Sequence, residues 1–124
     1  MIDTGTVDVV GVDPGWARGI TGFRATIAAV EEHRLAINAH AFTAPVVFAA
    51  ALALSQSTVE CGQLEYPPTM NTLYDLVGDV PEPVAGRVAP NDRPGSGSMS
   101  TRRRSNQCRL ADLHSELWRT TRLG

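Results

Sequence analysis

An acidic residue that directly follows an apolar run is the first feature of this sequence with chemical potential. Val9 to Val12 reads VVGV, a β-branched run typical of a strand inside a sheet. Asp13 follows it, and Pro14 and Gly15 then favour a tight turn. A carboxylate at the end of a buried strand is suited to bind a hard divalent cation, so Asp13 is predicted to be a metal ligand. The alternative is that Asp13 caps its own turn through backbone amides.

Further acids could complete such a site. Glu60 ends a predicted short strand at Ser57–Glu60 and is the predicted second ligand, although Glu65 competes for the same role. Asp112, one helical turn before Glu116, is the candidate third acid, and its alternative is an exposed helical acid. The three histidines and two cysteines have no ligand spacing, so the histidines are predicted to be surface or packing residues.

Composition indicates one domain of ordinary globular character. The chain has 124 residues, of which 43% are hydrophobic, enough for a single core. No apolar run is long enough to span a membrane, and the N-terminus lacks the basic and apolar regions of a signal peptide. We therefore expect a cytoplasmic protein without a membrane association.

Charge is distributed unevenly along the chain. Residues 1–86 contain 10 acids and 3 arginines, whereas residues 87–124 contain 3 acids and 8 arginines. A basic tail of this kind, including Arg102, Arg103 and Arg104, could contact nucleic-acid phosphates. The alternative is a solvated arginine-rich tail. Trp16 and Arg18, in the turn beside Asp13, could also contact nucleic acid, although a tryptophan in such a turn can simply cover the core edge.

The elements that must position these residues are predicted to form an α/β domain. The pattern favours an antiparallel meander of three strands, a buried helix, a fourth strand, a second helix and a last short strand; in order these are Val7–Asp13, Gly19–Ala25, Arg34–Phe42, Val46–Leu54, Ser57–Glu60, Met70–Val80 and Val84–Val88. Thr43 is the expected N-cap of the first helix, with Pro45 near its first position.

The C-terminal third is predicted to be organised differently. Residues 1–89 form the expected core domain, and residues 90–105 read as a flexible basic linker rich in Pro, Gly and Ser. Residues 106–124 could form a helix with leucines on one face. The tail as a whole is expected to be poorly ordered.

The combination VVGVDPG, then a Thr-Gly strand, then TVECGQLEYP after the first helix resembles RuvC-type Holliday-junction resolvases. More specifically, it is similar to the shorter phage-type members of that ribonuclease H-like superfamily. The resemblance covers roughly residues 7–88 and departs in the C-terminal third, where the family's final aspartate pair has only Asp112 and Glu116 as candidates.

The resemblance implies a ribonuclease H-like mixed sheet and a metal-dependent endonuclease acting on branched DNA. Asp13, Glu60 and Asp112 would be the catalytic residues and would hold Mg²⁺ or Mn²⁺ for two-metal phosphodiester hydrolysis. A homodimer would match the two-fold symmetry of a four-way junction. The alternative is a catalytically inactive relative that retains only DNA or partner binding.

Overall fold

The computed structural model describes residues 4–67, 73–74, 77 and 79–97. Three short strands alternate with two helices in this part of the chain: β1 (Val9–Val12), α1 (Gly19–Glu32), β2 (Ala36–Ala39), α2 (Pro45–Gln56) and β3 (Gln63–Leu64). The strands form one parallel sheet in the order β1-β2-β3. The fold is therefore two consecutive strand–helix–strand units, not the predicted antiparallel meander.

The error in the meander lies in the segment that follows the Asp13 turn. Gly19–Ala25 was expected to be a return strand, but the chain forms helix α1 from Gly19 to Glu32. Phe23, Ile27 and Val30 lie at helical spacing, and Phe23 and Val30 are fully buried. Because apolar residues at helical spacing continue beyond residue 25, a helix buries more apolar side chains than a short strand would.

The interposed helix also explains why the strands are parallel. A helical crossover returns the chain to the starting edge of the sheet, so β2 runs in the same direction as β1. Val10 pairs with Ile37 and Val12 with Ala39 in the β1–β2 register. The same arrangement is repeated through α2, which places Ala39 beside Leu64 of β3.

Helix α2 is where the sequence prediction is accurate. It spans Pro45–Gln56, with Pro45 at its first turn, and is apolar on most of its surface. The N-cap is Ala44, not Thr43, and it has no side-chain capping bond. Phe48 is fully buried and packs edge-to-face against Tyr66 at a ring-centroid distance of 5.4 Å. The core lies between the two helices and one face of the sheet.

Two of the predicted short strands are not strands. Ser57–Glu60 forms the turn after α2, where Thr58 donates a side-chain hydrogen bond to the Leu54 carbonyl. Val84–Val88 is a tight turn closed by an isolated bridge between Val84 and Arg87. Most of the predicted helix at Met70–Val80, half of the linker and the whole C-terminal helix lie outside the described residues. Within the described part of the chain, no helix is long and apolar enough to cross a membrane.

Candidate functional site at the carboxyl edge of the sheet

Three polar residues, Asp13, His40 and Glu65, follow the three parallel strands at the same edge of the sheet. The His40 backbone N–H donates to the Val12 carbonyl at 2.9 Å, and the Glu65 N–H donates to the Ala39 carbonyl at 2.9 Å. The strand pairing thus continues by one residue beyond β1, β2 and β3. Since the strands are in register, Asp13, His40 and Glu65 form one row across the sheet edge.

A hydrogen-bonded cluster joins β2 to the end of β3. Asn38 Nδ2 donates a 2.7 Å hydrogen bond to Glu65 Oε1. The other carboxylate oxygen, Oε2, is hydrogen-bonded to His40 Nδ1. Asn38 and His40 are two residues apart on an extended segment, so their side chains lie on one face. Both oxygens of Glu65 are therefore engaged by residues of a neighbouring strand.

This cluster defines the tautomer of the His40 ring. Because a carboxylate can only accept hydrogen bonds, Nδ1 carries the proton in the bond to Glu65. In the neutral imidazole, Nε2 is then left with a free lone pair that can take up a proton. The His40 side chain is 41% exposed and the Glu65 side chain 38%. The arrangement is that of an oriented general acid–base group that small molecules can reach.

Two further features surround the cluster. Phe42 packs against the His40 ring at a centroid distance of 4.5 Å and restricts its rotation. Asn38 and Glu65 also line an open cleft of about 760 Å³, between the β3 edge and the turn at residues 83–88. Among the described lining residues of this cleft, Glu65 and Arg87 are the ones that carry a charge.

The Asp13 side chain is buried and engaged in its own turn. The Gly15 backbone N–H donates to Asp13 Oδ1 at 2.6 Å, and the Thr43 hydroxyl donates to Oδ2 at 3.4 Å. The Ala17 N–H also bonds to the Asp13 carbonyl at 2.8 Å. The bond from Gly15 is the turn-capping contact that formed the alternative interpretation of Asp13. Its role as a metal ligand stays a prediction.

The structure does not bring Glu60 to the same edge as Asp13. The Glu60 carbonyl accepts the Ile37 N–H, near the amino end of β2, whereas Glu65 pairs beyond its carboxyl end. Of the two competing acids, Glu65 is thus the one beside the edge that carries Asp13. The reason is that the strand after α2 begins later than predicted, at Gln63.

The remaining predicted site residues have separate positions. Trp16 is 83% exposed in the β1–α1 turn. Arg18 is also exposed and precedes α1 with a left-handed backbone at φ 61°. Asp112 and Arg102, Arg103 and Arg104 lie outside the described residues.

A magnesium ion needs several oxygen ligands that converge on one point. In the described ranges, no group of three or more His, Cys, Asp or Glu side chains is arranged to hold a metal ion. The carboxylate oxygens of Asp13 and Glu65 already accept hydrogen bonds from protein donors. The described residues alone therefore do not supply a complete set of ligands for a magnesium ion.

Sequence reasoning missed His40 because it looked for ligand spacing among the histidines. The useful signal was positional: a histidine directly after a strand, and an acid directly after the next one. That signal becomes visible only when the strands are known to be parallel, because then their carboxyl ends meet at one edge. In barrels of parallel strands and helices, catalytic residues come from this edge.

Parallel strand–helix units with an acid–base cluster at the carboxyl edge are characteristic of (β/α)-barrel enzymes. The family described as "Enolase C-terminal domain-like" matches residues 1–102, and the chain belongs to this family. No curated protein matches the chain.

Several solved structures share the fold. An enolase protein from the environmental genome sequencing of the Sargasso Sea is 25% identical with a TM-score of 0.78, covering 88% of this chain and 29% of that one. A "putative L-alanine-DL-glutamate epimerase" from Burkholderia xenovorans strain LB400, bound to magnesium and fumarate, is 21% identical with a TM-score of 0.75, covering 83% and 26%. An enolase from Pantoea ananatis with bound D-gluconate and magnesium is 23% identical with a TM-score of 0.75, covering 86% and 26%. The chain thus spans less than a third of each.

These findings overturn the resemblance to RuvC-type resolvases. The sheet is parallel and belongs to an enolase-type domain, so the ribonuclease H-like fold is wrong. The predicted junction-cleaving nuclease, its branched-DNA substrate and the inactive DNA-binding alternative are wrong with it. The homodimer was inferred from junction symmetry and loses that basis. The misleading element was the Asp-Pro-Gly turn, which equally suits the strand-to-helix connection of a barrel.

Proposed function

We propose that this chain contributes the proton-transfer group of an enolase-superfamily active site. The reaction class is removal or return of a proton at a carbon next to a carboxylate, as in racemases, epimerases and dehydratases. The observation that carries the proposal is the His40–Glu65 pair at the carboxyl edge of three parallel strands. Enolase-superfamily sites use a lysine or histidine base with magnesium, and His40 is suited to that role.

His40 would act through Nε2. Glu65 accepts a hydrogen bond from Nδ1–H and so orients the ring. Its negative charge stabilises the imidazolium that forms when Nε2 takes the substrate proton. Asp13 keeps the β1–α1 turn closed beside His40 through its bonds to Gly15 and Thr43. Phe42 covers one part of the ring, which limits the directions from which a substrate can approach.

A small carboxylate is the substrate class that fits these features. Fumarate and D-gluconate, the ligands of two structural neighbours, both carry a carboxylate. Arg87 supplies a positive charge in the cleft that begins at Glu65. Magnesium belongs to the proposal through those neighbours, and a complete set of its ligands would have to include residues outside the described ranges.

Exchange of a carbon-bound proton with solvent deuterium tests the proposal. The protein that carries these residues would be incubated in D₂O with Mg²⁺ and a panel of sugar acids, dicarboxylates and dipeptides, and exchange would be followed by proton NMR. His40→Asn keeps an amide donor near the position of Nδ1 but removes Nε2, so exchange should fall by about 10²–10⁴-fold.

His33→Asn is the matched control, because His33 is an exposed histidine in the turn after α1. This variant should exchange at the wild-type rate. Absence of exchange in the wild type across the panel would contradict the proposal. Equal rates in wild type and His40→Asn would contradict the role of His40.

A further inference from the structure

Asn38 occupies an unusual position for an asparagine. It lies in the middle strand of the sheet, paired with Gly11 on one side and Gln63 on the other. Its Nδ2 donates a 2.7 Å hydrogen bond to Glu65 Oε1, across 27 residues of sequence. Amide groups are poor choices for strand interiors unless their hydrogen bonds are needed there.

The other end of the amide is not satisfied. Asn38 Oδ1 is buried and has no hydrogen-bond partner in the described part of the structure. A buried acceptor without a partner is unfavourable, so some other contact must hold the side chain in this orientation. Rotating the amide by 180° would place Oδ1 against Glu65 Oε1, acceptor against acceptor. The bond to Glu65 therefore determines how the amide lies.

We propose that Asn38 is a positioning residue that acts on His40 through Glu65. By binding Oε1, Asn38 holds the carboxylate so that Oε2 faces His40 Nδ1. A carboxylate free to rotate would leave Nδ1 without a fixed acceptor, and the ring would populate both neutral tautomers. Asn38 thus keeps the Nε2 lone pair available, an inference that rests on the proposed proton-transfer role of His40.

The ring tautomer of His40 can be read directly from ¹H–¹⁵N long-range NMR spectra of the neutral imidazole. His40→Asn identifies which of the three histidine signals belongs to residue 40. In the wild type the Nδ1–H form should predominate. Asn38→Asp replaces the donor with an acceptor of the same shape, so the ratio of Nδ1–H to Nε2–H forms should fall by about tenfold, as for loss of one hydrogen bond.

Two further variants keep the test decisive. Asn38→Leu removes the donor without adding charge and should lower the same ratio, which covers the case in which Asn38→Asp does not fold. Gln63→Glu is the matched control, because Gln63 is the exposed strand partner of Asn38 and makes the same amide-to-acid change. Its spectrum should equal that of the wild type.

The outcomes separate this inference from the proposed function. A wild-type tautomer ratio in folded Asn38→Asp or Asn38→Leu would overturn the positioning role, even if the wild type exchanges substrate protons. An Asn38-dependent tautomer in a protein without exchange activity would support the positioning role and contradict the proposed function. Loss of the Nδ1–H form in both Asn38 variants, with exchange reduced through kcat at constant KM, would support both.

Discussion

Gly22 lies inside helix α1, where replacing glycine by alanine normally stabilises a protein by about 1 kcal/mol. The packing around this position reverses that expectation. A Cβ atom on Gly22 would lie 1.5 Å from the Ala17 carbonyl oxygen and 2.7 Å from the Ala17 carbonyl carbon. Ordinary C···O contacts are about 3.3 Å or longer, so the oxygen would have to move by about 1.8 Å.

The Ala17 segment is not free to make that movement. The Ala17 N–H is bonded to the Asp13 carbonyl and the Gly19 N–H to the Pro14 carbonyl, each at 2.8 Å. Loss of these two bonds costs about 1–3 kcal/mol, and overpacking adds about 1–3 kcal/mol. After the gain of about 1 kcal/mol in helix propensity, Gly22→Ala should lower the free energy of unfolding by about 1–5 kcal/mol.

Urea unfolding followed by circular dichroism measures this change. Gly62→Ala is the control, because a Cβ atom there meets nothing within 4 Å and the backbone is not left-handed. It should change the free energy of unfolding by less than about 0.5 kcal/mol. A Gly22→Ala variant as stable as the wild type, or more stable, would refute the reasoning about the Ala17 contact.

Other substitutions test the core and the response to pH. Phe48→Ala should lower the free energy of unfolding by about 3–5 kcal/mol in urea titrations, because Phe48 is fully buried, whereas Val46→Ala on the exposed side of α2 should have little effect. Burial raises the pKa of the Cys61 thiol above its usual 9.0, so the folded state favours the protonated thiol. The stability that Cys61 contributes is complete at pH values below the pKa of the unfolded state, and it is lost as pH rises through the pKa of the folded state. The urea midpoint of unfolding should therefore fall above about pH 9, and it should fall less in Cys61→Ala. If the unfolding midpoint of Cys61→Ala decreased with pH as steeply as that of the wild type, this linkage between the Cys61 thiol and stability would be excluded.

Local sequence signals predicted some parts of this fold well and others poorly. Helix α2 was predictable because Pro45 starts it and its apolar run is too long for a strand. The β1 strand and the Asp13 turn were also visible, since β-branched residues end at a Pro-Gly pair. Helix α1 was misassigned because Gly19 and Gly22 suggested a strand, although the second glycine is required by a close backbone approach.

The candidate site depended on topology, which local patterns do not encode. Asp13 and Glu65 were both considered from sequence, but the preference for Glu60 assumed a strand that ends four residues before the observed end of β3 at Leu64. His40 acquired a role only through its register with Asp13 and Glu65, across two helical crossovers. Asn38 had no sequence signal, because its bond to Glu65 joins residues 27 positions apart.

A matched pair of acid-to-amide variants tests the central claim most directly. In Glu65→Gln the carboxylate that fixes His40 Nδ1 is lost, and hydrogen bonds to charged groups contribute about 1.5–3 kcal/mol. Magnesium-dependent deuterium exchange by this variant should therefore fall by about 10–100-fold, with Glu60→Gln remaining at the wild-type rate. Loss of exchange in Glu60→Gln with retention in Glu65→Gln would contradict the assignment of the site to the carboxyl edge of the sheet.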